Sequence, residues 1–161
     1  MQEVDIQLRF TTACIGSVRR SVSSGQGVIY RMIRDGSNNV VFLPSWWQSA
    51  ARYAVKVLNR YDKLVNQITW GRNVYGELAD WRRNVGYRKR KLRYALHEAY
   101  RPGTFVTLTA VLPQGMTPEA MFEILDVIGR YKGVSPFQRT DQRYGLFETI
   151  SVSPACKAES V

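Results

Sequence analysis

The densest run of chemically capable residues extends from Trp81 to Tyr94. Seven cations (Arg82, Arg83, Arg88, Lys89, Arg90, Lys91 and Arg93) stand there among three aromatics (Trp81, Tyr87 and Tyr94). Lysine and arginine neutralise phosphates and release their counterions, which gives a salt-dependent affinity. Aromatic faces stack on unpaired bases. Together they point to a flexible single strand rather than a duplex groove. The competing reading of the same run is a solvated basic helix with Trp81, Leu92 and Tyr94 turned to the core. A second cluster is Gly129-Arg130-Tyr131-Lys132-Gly133. Glycines let a backbone approach a ligand closely, and N–H groups in such turns can hold phosphates. Arg139 and Arg143 add positive charge nearby. The competing reading is a glycine helix stop followed by an ordinary loop. Neither a Walker loop nor a dinucleotide-binding fingerprint is present.

Catalytic constellations are sparse. His97 is the only histidine. It could serve as a general base for cleaving RNA beside a 2′-hydroxyl, or be a satisfied polar residue near a helix end. The acids are scattered, with no tight pair for two-metal chemistry. One histidine and two cysteines, Cys14 and Cys156, do not make a zinc site, so neither metal nor cofactor is expected. The cysteines lie near opposite ends of the chain and are expected to be reduced thiols in a cytoplasmic protein. These features favour a binding protein over an enzyme.

Bulk composition agrees. The chain has 161 residues, 45% of them hydrophobic, which suits one globular domain. Its 23 basic residues against 13 acidic ones give a formal net charge of +10, an excess that attracts polyanions at long range. No apolar run approaches the roughly 20 residues of a membrane helix, and the N-terminus has no secretory apolar core. No membrane partner is expected.

The elements that must position these residues follow from periodicity. Val4, Ile6, Leu8 and Phe10 alternate with polar residues as a half-buried strand. Thr11 to Gly27, with Gly16, Gly25 and Gly27, reads as a loop. Val28 to Ile33 and Val40 to Leu43 read as a hairpin about Asp35-Gly36. A long helix is expected from Pro44-Ser45, with Ser45 and Gln48 as a capping box. Its apolar residues run from Trp47 to Ile68, and Arg52, Lys56, Arg60 and Lys63 lie opposite. That stripe is equally a solvated face or a binding face. Arg88 to Tyr100 is expected to be a short basic helix inside an insertion spanning about 70–103. Phe105 to Leu112 is a strand, Thr117-Pro118-Glu119 starts a helix ended by Gly129 and Gly133, and Leu146 to Val152 is the last strand. The chain beyond 153 should be a loose tail, leaving 1–153 as a single domain. The fold class is α+β: a ferredoxin-like antiparallel sheet with helices on one face and a basic helical insertion.

Several segments then line up in order: Thr11–Ser17, Ile29–Gly36, Val41–Arg52, Gly129–Gly133 and Tyr144–Glu148. This order resembles the RAMP superfamily of CRISPR-associated RNA-binding proteins, and looks closest to the backbone subunits that line guide RNA in class 1 effector complexes. Those proteins commonly show an I-G-S/G turn, an I-R-D-x-x-G hairpin, an I-P-G-S-S-x-K-G-x-x-R helix start and a glycine-rich loop before the last strand. Here Ser45-Trp46-Trp47-Gln48-Ser49-Ala50 replaces the family's Gly-Ser-Ser-Leu-Lys-Gly. Val28, Ile29 and Tyr30 stand where cleaving members of one branch carry an aspartate. The resemblance implies a ferredoxin-like core that holds single-stranded RNA by its backbone and stacks head-to-tail along it. On this sequence, the residues it implies to face RNA are Ser17, Arg19 and Arg20, Arg52 on the helix, and the Gly129–Gly133 loop.

The leading expectation is thus a non-catalytic protein that binds single-stranded RNA or DNA and self-associates on it, with Lys56 and the 82–93 cations adding contacts. One alternative is a metal-independent RNA-processing endonuclease using His97 or Tyr30. Another is a small viral or mobile-element protein docking on a partner complex through Trp46, Trp47 and Trp81.

Overall fold

From Val4 to Phe10 every second residue is apolar, so one face of this strand must be covered. The computed structural model describes residues 1–21, 28–137 and 143–155, with backbone alone at 20, 21 and 88. The chain runs β1 (Gln2–Phe10), β2 (Cys14–Ile15), β3 (Val18–Ser21), β4 (Val28–Arg31), α1 (Pro44–Leu58), β5 (Thr69–Trp70), β6 (Tyr75–Gly76), β7 (Ala79–Arg88), β8 (Lys91–Tyr100), β9 (Phe105–Leu112), α2 (Pro118–Val127) and β10 (Phe147–Pro154). Gly25, Gly27, Arg139, Cys156 and the tail from 156 onward lie outside the described residues.

The core sheet has the order β10-β1-β9-β5, with β6 also pairing β9. Together with α1 and α2 this is the ferredoxin-like βαββαβ arrangement, as expected. Val4, Ile6, Leu8 and Phe10 of β1 join Val106, Leu108, Ala110 and Leu112 of β9 in one apolar cluster. Trp47, Ala51 and Ala54 of α1 and Met121, Ile124 and Leu125 of α2 close it from the helix side. β10 pairs through Val4↔Pro154, so the sheet reaches past the expected start of a loose tail.

A second sheet, order β2-β8-β4-β3 with β7 against β8, stands beside the core. It corrects two expectations. Residues read as a Gly/Ser-rich loop form β2 and β3, because long-range pairing (Cys14↔Tyr100, Val18↔Arg31) supplies what local propensity lacks. The expected basic helix at 88–100 is instead β8, the second arm of a β-hairpin with β7. Lys89 (φ 51°) and Arg90 (φ 65°) sit between paired Arg88 and Lys91. Two consecutive positive-φ residues are the signature of a type I′ turn, whose twist matches antiparallel strands. The usual Asn-Gly signal is absent, so sequence reading misses the turn.

α1 also departs from expectation. Leu43 occupies the N-cap and Pro44 the first helical position, with no side-chain cap. Ser45 already lies in the first turn, and Gln48 instead donates to the Val65 carbonyl and accepts from the Trp70 indole. The helix stops at Leu58 because Asn59 turns left-handed (φ 53°) and Tyr61 follows (φ 65°). α2 starts as expected, with the Thr117 hydroxyl accepting from the Ala120 N–H. After Val127 it widens into a π turn over Ile128–Lys132 before Gly133 ends it.

Candidate nucleic-acid interface

The β7–β8 hairpin carries the cation-rich run. β8 pairs β2 and β4 only from Leu96 to Tyr100, so the rest of the hairpin extends beyond the sheet, paired with itself. Strand geometry sorts its side chains, because alternate residues face opposite ways and cross-strand partners share a face. Lys91 and Arg93 lie on the face of Ala95, His97 and Ala99. Leu92 and Tyr94, with their partners Tyr87 and Asn84, lie on the other. Tyr87 and Tyr94, which interleave with cations in sequence, therefore share one face, joined there by Arg82 opposite Leu96, while Lys91 and Arg93 take the other. Tyr87 is 76% exposed and Tyr94 is 54% exposed. Lys89 and Arg90 form the exposed tip and Arg82 is exposed near the root. A bulge at Val85, where the register shifts between Asn84 and Gly86, keeps Tyr87 on the aromatic face.

Arg83 departs from the expected pattern. It is only 6% exposed, and its Nε donates to His97 Nε2 at 3.0 Å. Its guanidinium lies 4.5 Å from the Phe137 ring centroid. His97 is wholly buried and stacks on Tyr30 at 4.6 Å between centroids. Its Nδ1 lies 2.6 Å from the Gly16 carbonyl oxygen, which can only accept. Nδ1 therefore carries the proton and Nε2 accepts from Arg83: the neutral tautomer is fixed from both sides. Burial, reinforced by the Arg83 charge and opposed by the Gly16 bond, holds the His97 pKa below its ordinary value. This arrangement pins the hairpin root to the loop after β2, and it leaves no free nitrogen for a substrate proton.

Gly16 is at 16 because nothing larger fits. A Cβ there would fall 2.4 Å from the Arg31 carbonyl carbon. The I-G-S turn thus allows two backbones to touch and lets Gly16 N–H reach the Glu98 carbonyl at 2.8 Å. Glu98 joins the second sheet to the 31–34 segment. Arg34 donates to both its oxygens at 2.7 Å and the Met32 N–H donates at 3.0 Å. Burial pushes the Glu98 carboxyl up, but the Arg34 and Met32 hydrogen bonds and the guanidinium charges outweigh it and leave the pKa below the ordinary value. In the neighbouring turn, the Asn39 and Ser37 N–H groups and the Asn73 amide bond the Asp35 carboxylate, and they lower its pKa. The I-R-D-G motif is therefore a structural clamp.

The remaining expected residues fall on two surfaces. Arg19 is exposed on β3, opposite Tyr30, and shares the second sheet with the hairpin; half-buried Ser17 precedes it, and the Arg20 backbone follows. Arg52 and Lys56 are exposed on α1, where Arg52 is held by the Asn66 side chain at 3.0 Å. Lys132 lies 5.7 Å from the ring centroid of Tyr53 on α1, which joins the π turn to that helix. Arg130 pairs with Asp126 at 3.1 Å, and Tyr131 is exposed. Gly129 and Gly133 are buried, and Gly129 lines a cleft of about 310 Å³ with Thr11, Asp126 and Arg130. A Cβ on Gly129 would strike the Phe147 carbonyl oxygen at 2.2 Å, so that glycine serves the packing of α2 on β10.

Two other expectations change. Arg60 and Lys63 fall beyond the end of α1, and Arg60 pairs with Glu123 at 3.2 Å. Trp47 is fully buried and stacks on Trp70 at 5.3 Å, while Trp46 and Trp81 pack against the core clusters. Trp47 is thus spent on the fold, while Trp46 and Trp81 stay half-buried. Cys14 is likewise buried, with its Sγ donating to the Val134 carbonyl and its thiol pKa raised chiefly by burial. No helix among the described residues is long and apolar enough to cross a membrane.

No family model and no curated protein matches the sequence. Solved structures do match the fold. A chain from a type III-B Cmr-beta complex bound to cognate target RNA aligns with a TM-score of 0.60 at 13% identity, over 94% of this chain and 60% of that one. A chain from a type IV-B CRISPR complex aligns with a TM-score of 0.55 at 10% identity, over 99% of this chain and 93% of that one. This chain thus spans about three-fifths of the Cmr-beta subunit. The likeness is one of fold, and it agrees with the ferredoxin-like core expected from the sequence.

Proposed function

We propose that this protein binds single-stranded nucleic acid, RNA in the first instance, by its phosphate backbone and without cutting it. One observation carries the reading: a hairpin that extends beyond its sheet with exposed cations at its tip and on both faces, and exposed tyrosines on one of them. The fold shared with a subunit of an RNA-bound CRISPR complex supports it, and so does the net charge of +10. The finer reading is a subunit that self-associates head-to-tail along the strand, as an open filament, within a CRISPR-related assembly. Arg19, Arg52, Lys56, Arg130 and Lys132 are the secondary phosphate contacts in this proposal. The nuclease alternative loses His97 as its general base, because both ring nitrogens are engaged inside the protein.

Fluorescence anisotropy with labelled oligo(U) over a salt series tests the proposal. Among the described side chains, Arg82, Lys89, Arg90, Lys91 and Arg93 are the exposed hairpin cations. If all engage phosphates, log K should fall with log salt at a slope of about −3.5 for single strands. Lys89→Glu with Arg90→Glu should weaken binding whatever the base sequence. A salt-independent affinity, or unchanged binding by that variant, would overturn the reading. Sizing with and without RNA checks the assembly.

A further inference from the structure

We infer that the bases of the bound strand lie on the open face of the second sheet, across Arg82, Leu96 and Ile29, and not on the face nearer Phe137. The inference rests on the single-strand reading and adds to it a specific surface. A sheet has two faces, and here the protein fills one of them itself. On that side Trp81, Phe137 and Tyr144 pack on Ala13, Ile15 and Ala99, while Tyr30 and Phe137 enclose His97.

Register places Leu96 opposite Arg82 on β7 and beside Ile29 on β4, so the three share the opposite face. Outward along the hairpin that face continues through Tyr94 and then Leu92 with Tyr87. Inward it reaches the row of Asp80, Glu98 and Arg31, with Val18 paired to Arg31. Val18 is 45% exposed, and Ile29, Leu92 and Leu96 are half-buried. An apolar strip left uncovered in a chain this polar marks an interaction surface.

The charge around the strip selects the occupant. Arg82, Leu96, Trp81, Asp80 and Arg101 wall an open pocket of about 530 Å³ at the hairpin root. Arg101 is fixed there by donating to the Asp80 carbonyl at 2.9 and 3.2 Å. Arg31 stands in the adjoining row, 4.0 Å from a Glu98 carboxylate that Arg34 already engages. Flat apolar surface bordered by guanidinium groups fits an unpaired base with its phosphate. The tyrosines supply stacking on the hairpin and the arginines supply the anchor at its root.

The test separates base contact from phosphate contact. Two variants each remove one cation and one exposed tyrosine: Arg82→Ala with Tyr94→Ala on the open face, and Arg93→Ala with Tyr131→Ala elsewhere. Each is titrated with oligo(U) and with an abasic strand of equal length. Wild type should prefer oligo(U) by about tenfold or more. The open-face variant should bind both strands alike, and the other should keep the preference. Photo-crosslinking of wild-type protein to 4-thiouridine oligonucleotides should mark Val18, Ile29 or Leu96, which covers the case of a misfolded variant. A retained base preference in the open-face variant, or crosslinks confined to Tyr131 and Phe137, would overturn the inference while leaving strand binding intact. Failure of wild type to bind either strand would instead sink the proposed function, and this inference with it.

Discussion

Replacing Glu98 with glutamine should loosen the joint between the second sheet and the core. The substitution keeps the side-chain size and removes the charge that two short Arg34 bonds and the Met32 N–H converge on. The carboxylate side chain is 14% exposed and that of Arg34 is 24% exposed, so the pair is mostly but not fully desolvated. Hydrogen bonds to charged groups contribute about 1.5–3 kcal/mol, and breaking a fully buried pair costs about 3–5 kcal/mol. A loss of about 2–3 kcal/mol follows, or roughly 5–10 °C in Tm for a chain of this size. Arg31, 4.0 Å away, adds little. The pH dependence has a definite sign. The folded Glu98 pKa is depressed, so its contribution is present above the unfolded value of about 4.3 and is lost as pH falls through the folded value. Urea denaturation of wild type, Glu98→Gln, Arg34→Met and the double variant at pH 7 and pH 3 measures both effects. The coupling should be large at pH 7 and shrink at pH 3. A cost under about 0.5 kcal/mol at pH 7 would fall below even one charged hydrogen bond and refute the reasoning.

Three further outcomes are expected. His97→Phe keeps a ring against Tyr30 but strands the Arg83 Nε and the Gly16 carbonyl, so urea denaturation should show a loss of about 1–3 kcal/mol. Because the folded His97 pKa is depressed, its contribution is present above about pH 6.5 and declines as pH falls below that; the wild-type advantage should therefore narrow between pH 7 and pH 5. Gly16→Ala sets a Cβ against the Arg31 backbone at 2.4 Å and should cost about 1–3 kcal/mol or more, read as a lowered denaturation midpoint. Lys89→Asn with Arg90→Gly relieves two left-handed residues at the hairpin turn, so Tm should rise while oligo(U) affinity falls with the two lost charges.

Much of the architecture is legible in the chain because its periods are clean. β1, β9 and β10 alternate over an apolar core face, and Thr117-Pro118-Glu119 marks the start of α2. The hairpin is not legible. Its strands stand largely outside the core, so no apolar period distinguishes them from a basic helix, and their turn is built from Lys89 and Arg90 in place of the usual residues. The loss of Arg83 and the glycines as surface groups was equally hidden, since burial depends on what Phe137 and Phe147 bring from far along the chain.

Sequence alone determined the charge, the ferredoxin-like order of elements and the residues from which an interface could be made. Only tertiary structure decided how those residues divide. Pairing β7 with β8 gathered Tyr87 and Tyr94 with Arg82 on one face and put Lys91 and Arg93 on the other, a division a helix would not make. Packing of the 134–137 segment closed one face of the second sheet and held His97 neutral beneath it. Local propensity cannot encode either result, because both arise from contacts between segments that are distant in sequence.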